Sequence, residues 1–158
     1  MTNRPKNIGT AGETAVVRMA RESGFFPHAD RLTLSGSADR GDVRLTRELR
    51  GGVIVEVKAG DAAARSSDLL IDAWMAETEA ERQNAQAALG VLVVKRAGYA
   101  GARCGRWWAV VPLGALVALR GGFTGQSWTT HHGSDALPVR MHLDALMPLL
   151  ATVYGEED

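Results

Sequence analysis

The chain has 158 residues, 46% of them hydrophobic and 23% charged, with 18 basic and 18 acidic side chains and a formal net charge of zero. That size supports one self-contained hydrophobic core, and the composition excludes disordered and collagen-like classes. Balanced charge argues against a protein that coats nucleic acid by global attraction, and a lone cysteine, Cys104, excludes an intrachain disulfide or a cysteine-based zinc cluster.

The first residues, MTNRPKNIGTAGE, lack the apolar run of a signal peptide, and no stretch of about 20 apolar residues occurs. The expectation is a cytoplasmic protein with no membrane span, and residues 1–9, carrying Arg4 and Lys6, read as a loose basic arm. Residues 10–23 read as a helix: Thr10 and Glu13 match a capping box, Val16, Val17, Met19 and Ala20 form an apolar face, and Gly24 follows as a stop.

Between residues 25 and 58 the hydrophobic period shifts toward two. Arg31-Leu32-Thr33-Leu34 and Asp42-Val43-Arg44-Leu45 alternate, turn residues fill 35–41, and Gly51-Gly52 breaks the chain before Val53-Ile54-Val55. The β-branched run predicts a buried central strand that continues through Glu56-Val57-Lys58. Residues 61–67 read as a loop. A long helix is expected over 68–89, with Leu70, Trp74, Ala85 and Leu89 inward, the charged middle AETEAERQNAQ partly exposed, and Gly90 as its end. Glu77, Glu79 and Glu81 read as a solvated face. A short strand over 91–94 ends in Lys95-Arg96. A Gly-rich turn over 99–106, a strand over 107–111 and a helix opened by Pro112 follow, running to Leu119. Residues 121–140 read as irregular. A final amphipathic helix over 142–153 presents Leu143, Leu146, Met147 and Leu150, either to the core or to a partner. A strand–helix–strand crossover within this order predicts an α/β protein, a central mixed β-sheet flanked by helices.

The chemistry gathers around Asp42 and, after thirteen intervening residues, Glu56-Val57-Lys58. Residues i and i+2 of a strand share a face, so Glu56 and Lys58 stand together while Val57 turns to the core. If the strands pair through the Gly51-Gly52 turn, Asp42 reaches the Glu56 end. Two carboxylates offer the hard oxygen donors that suit Mg²⁺ or Mn²⁺. Such an ion polarises a phosphate and lowers the pKa of bound water, while a lysine orients or deprotonates that water or offsets developing charge. Those parts fit phosphodiester hydrolysis. The bland alternatives are a salt bridge on an edge strand and Glu13 acting only as a cap; Asp39 offers a substitute ligand for Asp42 but reads as a turn residue.

This pattern resembles the PD-(D/E)xK nuclease superfamily, with Asp42 as the acidic motif and Glu56-Val57-Lys58 as the ExK motif. It is most similar to archaeal-type Holliday junction resolvases and related small phage and actinobacterial nucleases. Glu13, within GTAGETAVVRMARESGF, stands where many members carry a helical glutamate that completes the metal site. The segments AWMAETEAERQNA, GVLVVKRAG and RWWAVVPLGALVAL continue the likeness, which covers residues 7–119; glycine in place of proline before Asp42 departs from it.

The resemblance implies one nuclease domain over 1–158, a restriction-endonuclease-like core at 7–119 and a C-terminal extension at 120–158. It implies a Mg²⁺-dependent endonuclease, with Mn²⁺ as a substitute and no organic cofactor, in a homodimer acting on four-way DNA junctions in phage or bacterial DNA processing. Asp42, Glu56 and Glu13 are its expected metal ligands and Lys58 its expected catalytic lysine. Arg4, Lys6, Arg40, Lys95 and Arg96 are expected on the DNA backbone, ahead of Arg44, Arg103 and Arg106, since such side chains position phosphates without reading sequence. Gln83, Gln86, the His131-His132 pair, Trp107, Trp108 and Cys104 read as structural or surface residues.

Overall fold

The computed structural model describes residues 4–33, 38–121 and 133–156. Its centre is a six-stranded sheet in which strand order follows chain order: β1 (Asp30–Arg31), β2 (Val43–Arg44), β3 (Val53–Lys58), β4 (Leu89–Val94), β5 (Trp108–Pro112) and β6 (Pro138–His142). Neighbours are antiparallel except β3 and β4, which run parallel from Val53↔Leu89 to Lys58↔Val94. A parallel pair needs a crossover, and α2 (Asp68–Ala85) supplies it.

Helices α1 (Arg4–Glu22), α3 (Leu113–Gly121) and α4 (Leu143–Tyr154) share one core with Val53, Val55 and Val57 of β3. The alternate residues of β3 face α2, so Ile54 meets Ala85 and Ala87 while Glu56 and Lys58 stand on the same side. β3 and β4 are buried on both faces, as a β-branched and apolar run flanked by helices must be. Among the described residues, no helix is long and apolar enough to cross a membrane.

Several expected boundaries move. α1 begins at Arg4, so the loose arm and the capping box are both overturned: Thr10 lies inside the helix, where its carbonyl accepts from the Thr14 hydroxyl at 2.8 Å. The helix passes Gly12 because α1 presses against the sheet there. A Cβ on Gly12 would lie 2.5 Å from that of Ala59, so glycine sets the approach distance. α2 stops at Ala85 rather than near residue 89, capped by Gln86 in the left-handed conformation (φ 53°). Leu89 and Gly90 belong to β4 instead. Gly90 ends no helix but lets Thr78 of α2 close on the strand, where a Cβ would meet the threonine methyl at 3.0 Å.

The charged middle of α2 is partly exposed, but Glu81, expected on its solvated face, is buried, as is Arg82. Pro112 ends β5 rather than opening α3. The segment read as irregular contains β6, paired with β5 from Trp108↔His142 to Pro112↔Pro138. In α4, Leu143, Leu146, Met147 and Leu150 are all at most 1% exposed in the single chain, which makes them core.

Candidate active site

The site is assembled by the β2–β3 pairing. The register Val43↔Val55 and Arg44↔Ile54 brings Asp42, the residue before β2, to the Glu56 end of β3. The Asp42 amide donates to the Val55 carbonyl at 3.0 Å, and the Val57 amide donates to Asp42 Oδ2 at 2.8 Å. Gly41 (φ +91°) makes this entry possible, and a Cβ there would lie 3.1 Å from Ile54 Cδ1. Asp39 is a turn residue, its carboxylate accepting from the Gly41 amide at 3.1 Å. Asp42, not Asp39, therefore stands beside Glu56.

Lys58 Nζ lies 2.8 Å from Glu56 Oε1 and 2.9 Å from Glu77 Oε2 of α2, with the Trp74 ring centroid 5.8 Å away. Burial alone would lower the ammonium's pKa, but the two carboxylates outweigh it and hold Lys58 above its ordinary value. This lysine is thus fixed as a cation. It is placed to donate hydrogen bonds and to oppose negative charge.

Acids crowd the other side. Burial first, then the charge of Glu56 and, more weakly, of Glu13, push Asp42 up to about 7 against the opposing Val57 hydrogen bond. Glu81, expected on a solvated face, is instead 7% exposed and turned toward Glu56, with Oε2 lacking any hydrogen-bond partner among the described residues. Its burial and the nearby Glu56 raise it to about 9, with Asp39 adding and Lys58 opposing. Sequence reasoning missed Glu81. The available signal was spacing: Ile71, Thr78, Glu81, Arg82 and Ala85 fall on one buried stripe of α2. Arg82 on that stripe is structural, clamped to Glu79 at 2.8 Å and to the Ala87 carbonyl at 2.7 Å.

Glu13 approaches from α1 on the other face. Its carboxylate is held by Arg31 at 2.6 Å, while its charge still acts on Asp42. Among the described residues, no three His, Cys, Asp or Glu side chains form a ready-made metal-binding group. Mg²⁺ does not require one, because it takes one or two carboxylates and fills its remaining positions with water and substrate phosphate. Asp42 and Glu56 meet that requirement in donor chemistry. Their mutual repulsion and the orphaned Glu81 oxygen are what a divalent cation relieves.

Of the expected backbone contacts, Lys95 follows β4 directly, its amide donating to the Lys58 carbonyl at 2.9 Å, and Arg96 lies beside it. Arg40 lines a surface groove with Arg31, Thr33 and Arg44. Arg4 and Lys6 sit on the first turn of α1, and their side chains lie outside the described residues, as does the His131-His132 pair. Cys104 is buried, donates to the Ala15 carbonyl at 3.3 Å, and is pushed up to about 11 by burial, so it is an inert thiol. Trp107 is core, its indole donating to the Tyr99 carbonyl at 2.8 Å.

No protein-family model, curated protein or solved structure matches the chain.

Proposed function

We propose that this chain is a divalent-metal-dependent DNA endonuclease with a restriction-endonuclease-like core. The observation that carries the reading is the convergence of Asp42, Glu56 and Lys58 where β2 begins and β3 ends: Asp42 is bonded to the Val57 amide beside Glu56, and the Lys58 ammonium lies 2.8 Å from Glu56. Bound by Asp42 and Glu56, Mg²⁺ supplies a Lewis acid for the scissile phosphate and a water of lowered pKa. Lys58 is held by Glu56 and Glu77 with its donors toward the same space. It orients the attacking water or offsets charge on the phosphate oxygens, a preorganised electrostatic role. Glu13, whose Oε2 is held by Arg31, is the candidate to complete the shell. Glu81, its carboxyl raised to about 9 by burial and by Glu56, is a buried acid behind Glu56 whose ionisation a cation would favour.

The resemblance to junction resolvases makes a four-way junction the proposed substrate and a two-fold homodimer the proposed assembly, because two symmetric strands must be cut. The test is cleavage of labelled junction, flap, linear duplex and single-stranded DNA in Mg²⁺, Mn²⁺ or EDTA. Junction cutting that needs the metal is expected, and Lys58→Ala should abolish it while junction binding survives. Full activity in Lys58→Ala, or no cutting of any substrate with either metal, overturns the nuclease reading. Equal cutting of all four DNAs overturns the junction assignment alone.

A further inference from the structure

Paired residues across the sheet form a row, Lys58↔Val94↔Trp108↔His142. Partners in register point to the same face, so the row begins in the candidate site and ends on the edge strand β6. At strand spacings of about 4.8 Å, Trp108 stands roughly 10 Å and His142 roughly 15 Å from Lys58.

Three arginines gather at the far end of this row. Arg96 lies 4.6 Å and Arg140 4.8 Å from the Trp108 ring centroid, and the His142 ring stacks on Trp108 at 5.0 Å. Arg96 also contacts Tyr99 at 4.8 Å. Arg106 meets His142 Nδ1 at 3.2 Å, and Arg96 meets His142 Nε2 at 2.9 Å. The described carboxylate that pairs within this group is Asp144, on Arg106 at 3.7 Å, with both side chains about half exposed. Among the described residues, no carboxylate forms an ion pair with Arg96 or Arg140.

Two physical features define what this group lacks. Aromatic rings fix guanidinium planes in place without neutralising them, whereas a carboxylate would cancel their charge. Each nitrogen of His142 faces an arginine donor, yet a neutral imidazole has one acceptor nitrogen and a protonated one has none. At least one guanidinium N–H at His142 is therefore without an acceptor on that ring. The missing partner is an anion with several acceptor oxygens. A base stacking on Trp108 fits less well, since the arginines and His142 already surround that ring.

We propose that Arg96, Arg106 and Arg140, racked on Trp108 and His142, form a phosphate-binding platform for the DNA backbone flanking the bond that is cut. This rests on the nuclease reading. At that separation the platform engages phosphates within a few nucleotides of the scissile one.

The test is fluorescence anisotropy of labelled four-way junction and duplex DNA over a KCl series in EDTA, where no strand is cut, with folding checked by thermal melting. Arg140→Gln, on the edge strand, should weaken binding about tenfold and reduce the slope of log affinity against log salt by about one. Arg96→Gln should act alike, and if that variant fails to fold, Arg140→Gln decides alone. A folded Arg140→Gln with wild-type affinity and slope overturns the platform and leaves the nuclease reading standing. A wild-type chain with no salt-dependent DNA binding overturns both.

Discussion

Replacing Asp42 with asparagine should stabilise the metal-free protein at pH 8. The folded environment raises this carboxyl from 3.8 to about 7, chiefly through burial and the charge of Glu56. Below pH 3.8 the group is protonated in both folded and unfolded chains and exerts no penalty. As pH rises toward 7 the unfolded chain ionises first, so stability falls, and above 7 the full penalty is present. The shift converts to at most about 4 kcal/mol. Because Asp42 is only partly buried and its interaction with Glu56 is screened, about 1–3 kcal/mol is the expected effect. Asparagine cannot ionise but keeps an oxygen to accept from the Val57 amide. For a chain of this size that stabilisation corresponds to about 3–10 °C in melting temperature. Melts in EDTA at pH 4 and pH 8 should show Asp42→Asn equal to wild type at the first and more stable at the second. Millimolar Mg²⁺ should then raise the wild type more than the variant, because a ligand of the folded state stabilises by mass action. A variant less stable than wild type at pH 8 in EDTA would refute the reasoning, since the Asp42 charge would then be supporting the fold.

Glu81→Gln carries the same sign over a higher window: its carboxyl rises from 4.5 to about 9, so the variant should match wild type at pH 4 and melt higher at pH 9 without metal. Loss of stability at pH 9 would mean the ionised glutamate has a partner. Gly12→Val should lower stability by about 1–3 kcal/mol in urea titrations, because its Cβ would press on Ala59 at 2.5 Å and force α1 off β3. An unchanged midpoint would show that this contact yields freely.

What could be read from the chain was governed by how loudly each residue announces its environment. Val53-Ile54-Val55 has one good home, a strand covered on both faces, and β3 is that strand. Once β3 is fixed, period-two geometry puts Glu56 and Lys58 on one side, and antiparallel pairing of β2 with β3 brings Asp42 to the Glu56 end. Glu81 was signalled only by its spacing with Ile71, Thr78 and Ala85, because hydrophobic periodicity is blind to a polar side chain in a buried position. β6 escaped for a related reason. It is an edge strand that starts with a proline and alternates half-buried residues with the exposed Arg140, so its sequence reads as a loop until β5 supplies a neighbour. The start of α1 was concealed by Gly9 and Gly12, poor helix formers kept in place by packing rather than propensity. The arginine group on Trp108 draws on β4, β5, β6 and the turn before β5, and no local pattern announces a cluster so scattered along the chain.

Strand order that equals chain order bears on how the molecule is made. Each strand leaving the ribosome has one hydrogen-bonding neighbour already synthesised, with α2 intervening before β4 and α3 before β6. The layer over that sheet closes last, because Leu143, Leu146, Met147 and Leu150 arrive in the final helix. A nascent chain halted before Leu143 would hold a correctly registered sheet with an oily flank open to water, a species prone to chaperone capture and aggregation.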